Sequence, residues 1–163
     1  MNLLILVVDD EPDVELLFRQ QFRHDLRAGR YNMEFAQSAP MALQHITDAG
    51  DRSLILILSD INMPGMSGLE LLRLIKEQHH EPPPVVMMIT AYGDAENYNT
   101  AMRLGADAFL TKPVDFAASV IENGRHDTNH LSFPLLMEAF AGRHQQRETR
   151  CFCDPTSATG LHP

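Results

Sequence analysis

The stretch that most restricts what this chain can fold into runs from residue 54 to residue 68, LILILSDINMPGMSG. Residues 54–59 are aliphatic except for the last, which predicts a strand buried on both faces at the centre of a parallel sheet. Asp60 follows at the carboxyl end of this strand, where open α/β sheets place their ligand sites. Asp60 is therefore a candidate reacting group or metal ligand, although aspartate is also common there as a plain turn-former or helix cap.

The same unit of a strand followed by a helical pattern recurs along the chain. Strands are predicted at residues 3–8, 31–36, 54–59, 85–89 and 106–111. The first helix is predicted to begin at Pro12 and to end at Gly29, and Ser67 and Glu70 form a capping box for the third. This alternation predicts an α/β fold with a five-stranded, parallel, doubly wound sheet.

Polar side chains stand at the carboxyl ends of four predicted strands. They are Asp9, Asp10, Asp60, Thr90 and Lys112. A parallel sheet would bring all of them into one crevice, where three carboxylates cannot all stay ionised without a cation. Oxygen ligands favour Mg²⁺ over Zn²⁺, and a lysine beside them suits a phosphoryl oxygen. Together these groups are the parts needed to accept a phosphoryl group.

Length and charge narrow the class of protein further. The chain has 163 residues, enough for one domain with a tail, and its net charge of −9 argues against nucleic-acid binding through its general surface. No apolar run reaches the ~18 residues of a membrane span, and no basic segment precedes the first strand, so we expect neither a membrane span nor a signal peptide. Both cysteines, Cys151 and Cys153, lie near the end, so we expect a core without disulfides and a cytoplasmic location.

Four motifs resemble those of one known family. The segments ILVVDDEPD, ILSDINMPGMSGLELL, MMITAYGD and GADAFLTKPVD resemble, in content and in order, the receiver domain of two-component response regulators. The resemblance covers about residues 3–115. It implies a flavodoxin-like receiver fold, of the kind found in chemotaxis regulators, and a signalling module rather than an enzyme acting on a separate substrate.

The resemblance also implies roles for the acidic residues. Asp60 resembles the phospho-accepting nucleophile, and Asp10, with Asp9 through water, resembles the acid pair that binds Mg²⁺. Asn62 lies where the family supplies a backbone carbonyl to the metal.

The resemblance implies a switch as well. Thr90 and Lys112 resemble the switch hydroxyl and the phosphate-binding lysine, and Phe109 occupies the switch aromatic position without a hydroxyl of its own. The bond from Lys112 to Pro113 resembles the family's cis peptide, which proline makes accessible. Tyr98, in a weakly patterned helix, is expected only to cover surface.

The implied partners are a sensor histidine kinase or phosphotransfer protein, which donates the phosphoryl group, and an output protein whose identity is open. A phosphorylation-dependent dimer is also compatible with the family. A second function class is an aspartate-nucleophile phosphatase on a similar sheet, but such enzymes use an acid two residues past the nucleophile, and that position is Asn62. A third is a pseudo-receiver that binds partners without phosphorylation, which the full set of site residues argues against.

The C-terminal segment departs from the family pattern. We expect the receiver domain to cover residues 1–122 and residues 123–163 to form an atypical tail, with one possible helix at 131–143 followed by disorder. The tail is compatible with a stand-alone receiver, with a fragment or altered reading frame of a longer regulator, or with a replacement for the fifth helix. Cys151 and Cys153 lack the usual spacing of zinc ligands, so a zinc site there is the weaker interpretation.

Overall fold

The computed structural model describes residues 3–49, 54–78, 83–91 and 95–112. Its helices and strands, in chain order, are β1 Leu3–Val8, α1 Pro12–Gln21, α2 Arg23–Arg27, β2 Tyr31–Ala36, α3 Ala39–Ala49, β3 Leu54–Asp60, α4 Gly68–Glu77, β4 Val85–Ala91, α5 Ala95–Arg103 and β5 Ala108–Lys112. Within these ranges, no helix is long and apolar enough to cross a lipid bilayer. The expectations for Pro113, the tail, its helix at 131–143 and its two cysteines fall outside the described residues.

The five strands form one parallel sheet in the order β2-β1-β3-β4-β5. This order confirms the predicted parallel, doubly wound sheet, with β3 at its centre and β2 at an edge. Leu56, Ile57 and Leu58 of β3 are completely buried, as the aliphatic run predicted. The central position of β3 also explains why it carries Asp60 to the middle of the carboxyl edge.

Helices cover both faces of the sheet. Phe18 of α1 and the following Phe22 pack on one face against side chains such as Ile5 and Val7 of β1. On the other face, α3, α4 and α5 pack against the alternate side chains, which include Leu6 and Val8. The two faces therefore receive alternate residues of the same aliphatic runs, because successive side chains of a strand point in opposite directions.

Helix starts follow the sequence signals closely. The Ser67 hydroxyl accepts a hydrogen bond from the Glu70 amide at 3.2 Å, and the Glu70 carboxylate accepts one from the Ser67 amide at 2.9 Å. The predicted capping box is thus present. At α3 the Ser38 hydroxyl accepts a hydrogen bond from the amide of Met41 at 3.4 Å, as expected for an N-cap.

The first helical segment differs from its prediction. Instead of one helix from Pro12 to Gly29, the chain forms α1 and α2, separated at Phe22, where the backbone has φ −96° and ψ 14°. Phe22 is buried against Phe18 and Tyr31. The residue at the break is therefore apolar and buried, as a core-facing helical residue would be. For this reason the apolar spacing of the sequence predicted one continuous helix although the helix is interrupted at Phe22.

Candidate functional site

The carboxyl ends of the strands converge on one cluster of polar side chains. Asp9 follows β1, Asp60 ends β3, Thr90 lies near the end of β4 and Lys112 ends β5. Asp60 is paired in register with Ile89, the neighbour of Thr90, and Thr90 is paired with Thr111, the neighbour of Lys112. The sheet alone therefore sets the spacing of these groups.

Three carboxylates lie together in this cluster. One oxygen from each of Asp9, Asp10 and Asp60 lies within 4.8 Å of the others. Asp60 is 3% exposed and Asp9 is 5% exposed, while Asp10 is half-buried. Like charges this close repel one another strongly when burial has removed most of their water.

Lys112 is the cation that these acids share. Its Nζ lies 3.2 Å from Asp9 Oδ2, 3.4 Å from Asp60 Oδ2 and 3.4 Å from Glu11 Oε1. Partial burial lowers the pKa of Lys112, but the charges of Asp60, Asp9 and Glu11 outweigh it, so its pKa is raised overall. Lys112 therefore stays charged, and one positive charge faces four negative ones, counting Asp10.

The surroundings of Asp60 raise the pKa of its carboxyl group. Burial raises the pKa of Asp60, and the charge of Asp9 raises it further, while Lys112 and the Ile61 amide act in the opposite direction. The net result is a pKa above the usual range for aspartate. Burial thus outweighs pairing with a single lysine, and the ionised carboxylate is under-compensated.

A divalent cation fits this cluster. Asp9 Oδ1 accepts a hydrogen bond from the Glu11 amide at 2.9 Å, but the buried Asp9 Oδ2 accepts none from the described residues and has only its ion pair with Lys112. A buried carboxylate oxygen of this kind is suited to a metal ligand. Oxygen ligands that carry several negative charges match Mg²⁺ in particular.

The loop after β3 folds back tightly beside the site. The Ile61 amide donates to the carbonyl of Ile89 at 3.1 Å, and the Gly68 amide donates to the carbonyl of Ile61 at 2.9 Å. A Cβ at Gly68 would collide with the backbone carbonyl group of Asp60, so glycine is required there. Asn62 is exposed in this loop, two residues beyond Asp60.

Thr90 and Phe109 lie on the same side of the sheet as α5. Thr90 is 5% exposed. Phe109 is 1% exposed and is paired in register with Met88, which places it diagonally from Thr90 on the adjacent strand. The ring of Tyr98, on α5, packs against Phe109 with 4.6 Å between ring centroids and 47° between ring planes.

Of the predicted site residues, Asp9, Asp10, Asp60 and Lys112 lie in one cluster, and Thr90 and Phe109 lie on the adjacent strands β4 and β5. Asn62 is exposed in the loop after β3, and the contribution expected from it is a backbone carbonyl. Sequence reasoning assigned no role to Glu11, although it follows the acid pair directly. It also gave Tyr98 no more than a surface position, whereas its ring is half-buried on Phe109. Helical spacing places Tyr98 one turn before the buried Ala101, which was the signal available in the sequence.

The fold and site together define a class of protein: a flavodoxin-like α/β domain with an acidic, lysine-containing site at the carboxyl edge of its sheet. The family model of the response regulator receiver domain matches residues 5–121. The chain belongs to this family, and it is a receiver domain of two-component signalling systems. Receiver domains interact with histidine kinases or phosphotransfer proteins and generally bind Mg²⁺ at an acidic pocket.

Named relatives support the assignment. The chain is 36% identical over 110 residues to the response regulator protein PilR of Pseudomonas aeruginosa, a match that covers 68% of this chain and 23% of PilR. It is 34% identical over 109 residues to the phosphate regulon transcriptional regulatory protein PhoB of the same species, covering 67% of this chain and 44% of PhoB. The match thus spans less than half the length of either relative.

A solved receiver structure supports the same family assignment. The crystal structure of a response regulator receiver protein from Pseudomonas putida superposes with a TM-score of 0.58 at 27% identity, covering 71% of this chain and 89% of that one. The predicted flavodoxin-like receiver fold is therefore confirmed.

Proposed function

We propose that Asp60 accepts a phosphoryl group from the phosphohistidine of a sensor histidine kinase or phosphotransfer protein. The observation that carries this proposal is the buried Asp60 carboxylate, which lies 3.4 Å from Lys112 Nζ and beside the carboxylates of Asp9 and Asp10. A carboxylate oxygen of Asp60 attacks phosphorus, and the bond from phosphorus to the histidine nitrogen breaks. The imidazole leaves with the electron pair and takes up a proton from solvent, so that Asp60 becomes an acyl phosphate.

Asp9, Asp10, Asp60 and the backbone carbonyl of Asn62 would hold Mg²⁺. The support is the shared acidic cluster and the buried Asp9 Oδ2, whose contact among the described residues is its ion pair with Lys112. When bound, Mg²⁺ neutralises charge on the phosphoryl oxygens during transfer. The acids of the chain keep this position electronegative, which selects for a cation before the phosphoryl donor arrives.

Lys112 and Thr90 act on the phosphoryl group itself. Lys112 is charged and forms ion pairs with the carboxylates of Asp9, Glu11 and Asp60, so its ammonium group is already beside the carboxylate that would carry the phosphoryl group. The Thr90 hydroxyl donates a further hydrogen bond to the phosphoryl group in this proposal, which is supported by the position of Thr90 near the end of the neighbouring strand. With these groups the receiver catalyses its own phosphorylation and, by admitting water, the later hydrolysis of the acyl phosphate.

Phosphorylation switches the face formed by α5 and β5. It adds about one to two negative charges at Asp60. Thr90 moves toward the new charge, and Phe109, on the same side of the sheet, fills the space left behind. A change in the shape of this face then alters the binding of an output protein, or of a second copy of the chain in a phosphorylation-dependent dimer.

The proposed receiver domain occupies the first part of the chain. We place the receiver at residues 1–122 and assign residues 123–163 to a tail. The family match to residues 5–121 supports the C-terminal limit of the receiver.

Kinases of this class use ATP, so we place the protein in the cytoplasm. The net charge of −9 supports an output through protein contacts rather than direct contact with nucleic acid.

The phosphatase alternative has less support. Hydrolysis of a separate phosphate ester needs an acid that protonates the leaving group, and the residue two past Asp60 is Asn62, whose amide cannot do so. A pseudo-receiver needs no lysine and no acid pair at this position. Here Lys112 forms ion pairs with Asp9 and Asp60, and Asp10 lies in the same acidic cluster, so a pseudo-receiver has less support.

Phosphoramidate tests the proposed function, because its bond from phosphorus to nitrogen resembles that of phosphohistidine. The full chain is incubated with phosphoramidate and Mg²⁺ and read by intact mass. We expect one phosphoryl adduct that disappears with EDTA and in Asp60→Asn. Asp13→Asn is the matched control, since Asp13 is an exposed acid in the first turn of α1 and outside the acidic cluster. An adduct of equal size in Asp60→Asn would contradict the proposal.

A further inference from the structure

Phe109, the predicted switch aromatic, packs against the ring of Tyr98 on α5. Phe109 is among the largest fully buried side chains, and it belongs to the same apolar cluster as Met88 and Ala101. Tyr98 covers it from α5 and is itself only half-buried. Phe109 thus lies in the core beneath the site, and Tyr98 reaches the surface of α5.

The geometry favours a contact that holds Phe109 in place. Aromatic pairs are favourable at centroid separations of about 4.5–7 Å when the rings are offset or tilted. The measured 4.6 Å and 47° lie at the close end of this range, so little free space remains between the rings. A movement of the Phe109 ring toward α5 therefore requires Tyr98 to move, and a movement away from α5 removes the contact that Tyr98 makes.

Phe109 itself offers no polar group to the surface. It has no hydroxyl and is 1% exposed, so a binding partner cannot contact it directly in this state. Tyr98 has the phenolic hydroxyl that Phe109 lacks, and it lies on the helix next to β5 in the fold. A change in the position of Phe109 can therefore reach the protein surface through Tyr98, which contacts Phe109 and is partly exposed.

We propose that Tyr98 is the positioning residue for Phe109, and that the ring contact relays the state of Asp60 to the surface of α5. This inference rests on the proposed function, since phosphorylation of Asp60 is the event that is relayed. In the unmodified protein Tyr98 holds Phe109 in its buried position. After phosphorylation, Phe109 moves with Thr90, and Tyr98 changes its packing and its hydroxyl position on the α5 surface.

Fluorine NMR of the full chain labelled with 3-fluorotyrosine tests the relay. The sequence has three tyrosines, and each resonance is assigned by its loss in the corresponding Tyr→Phe variant. With acetyl phosphate and Mg²⁺, we expect the Tyr98 resonance to shift by more than its linewidth. Tyr31 is the internal control, because it packs on the opposite face of the sheet, against Phe22, and should stay in place.

Two phenylalanine variants separate the relay from general loss of stability. Phe109→Leu removes the ring beside Tyr98 and should abolish the phosphorylation-dependent shift, while intact mass still shows the adduct. Phe18→Leu removes an equally buried ring on the opposite face and should leave the shift in place. A Tyr98 response that persists in Phe109→Leu would overturn the relay.

Variants of Tyr98 itself provide the rescue experiment. Amide spectra of nitrogen-15-labelled protein are recorded before and after phosphorylation, and the shifts of α5 residues Glu96 and Thr100 are compared. We expect these shifts to survive in Tyr98→Phe, which keeps the ring, and to be lost in Tyr98→Leu. An adduct of normal size with a silent Tyr98 in the wild type overturns the relay alone, whereas the absence of any adduct overturns the relay and the proposed function together.

Discussion

Lys112 Nζ lies 3.4 Å from Asp60 Oδ2, although the two residues end strands that are separated in the sheet by β4. The same ammonium group lies 3.2 Å from Asp9 Oδ2, so it bridges the ends of β1, β3 and β5. This lysine therefore links three strand ends along the part of the carboxyl edge formed by four strands, β1, β3, β4 and β5. Its partners are also the groups that we propose to bind Mg²⁺ and the phosphoryl group.

Removal of that ammonium group should harm both folding and chemistry. In Lys112→Met the buried carboxylates of Asp9 and Asp60 lose their cation, and we expect the free energy of unfolding without Mg²⁺ to fall by about 1–3 kcal/mol. Transfer from a small donor should slow by about a hundredfold, as for loss of one donor to a developing oxyanion. Urea denaturation and the rate of adduct formation by intact mass measure the two effects.

Lys76→Met is the matched control for this variant. Lys76 has nearly the same side-chain exposure, 26% against 27%, and forms an ion pair with Asp107 at 2.9 Å, away from the site. Its loss should cost about 0–1 kcal/mol and leave phosphorylation unchanged. Equal rates of adduct formation in Lys112→Met and Lys76→Met would contradict the proposed role of Lys112.

Neutralising Asp60 should stabilise the protein that lacks Mg²⁺. Burial holds the pKa of Asp60 in the folded protein above the ordinary value for aspartate, so the folded protein retains a proton at pH values where the unfolded chain has released it. Its contribution to stability is complete below about pH 4 and is lost as the pH rises through the folded pKa. At neutral pH the ionised group therefore destabilises the fold.

We accordingly expect Asp60→Asn to melt a few degrees above the wild type in EDTA at pH 7.5, and to lose this advantage as the pH falls toward 4. Each kcal/mol corresponds to about 2–4 °C for a chain of this size. Saturating Mg²⁺ should reduce the difference, because the cation compensates the carboxylate only in the wild type. Thermal denaturation across pH with and without Mg²⁺ measures this, and a lower melting temperature for Asp60→Asn in EDTA at pH 7.5 would contradict the account.

Mg²⁺ affinity should depend on Asp10 and not on a nearby exposed acid. Asp10→Asn removes one of three clustered carboxylates, and the lost attraction exceeds the ~1.4 kcal/mol that corresponds to a tenfold change in affinity. Isothermal titration calorimetry should therefore show binding weakened by about tenfold or more. Asp13→Asn, on the first turn of α1, should bind Mg²⁺ like the wild type, and equal affinities for the two variants would refute this assignment of ligands.

Gly68 should be required for the position of Asp60. In Gly68→Ala the new Cβ would lie 2.8 Å from the carbonyl carbon of Asp60, so the backbone at the nucleophile must move. We expect both stability and phosphorylation rate to fall. Gly65→Ala is the comparison, because φ at Gly65 is +78° and no atom lies within 4 Å of its added Cβ.

Gly65→Ala should thus cost about 1 kcal/mol through backbone strain alone and keep its phosphorylation rate. Circular dichroism melting and intact mass separate the two variants. A Gly68→Ala protein that is phosphorylated as fast as Gly65→Ala would show that the close approach to Asp60 has no functional consequence.

Most of the sheet was predictable because aliphatic runs are strong local signals. The bounds Leu3–Val8 and Tyr31–Ala36 agree with the predicted strands, while β5 begins at Ala108, two residues later than predicted, and extends to Lys112. The capping box at Ser67 and Glu70 was also local. In contrast, the break between α1 and α2 follows from the packing of Phe22 against residues from other elements, which periodicity along the chain does not contain.

The site was predictable where a parallel sheet brings strand ends together. That rule alone placed Asp9, Asp60 and Lys112 in one crevice. The additional pairing of Lys112 with Glu11 depends on side-chain conformations at the start of α1, and the burial of Phe109 depends on a ring from α5. Neither is fixed by strand order, so sequence reasoning could not rank these contacts.

The most direct measurement of the central claim is the location of the phosphoryl group. The chain is phosphorylated with acetyl phosphate and Mg²⁺, the acyl phosphate is reduced with borohydride, and the modified residue is identified by peptide mass spectrometry. We predict conversion of Asp60 to homoserine, dependent on Mg²⁺, with Asp9, Asp10 and Asp13 unmodified. Modification at another carboxylate, or no modification of a folded wild-type protein, would contradict the account.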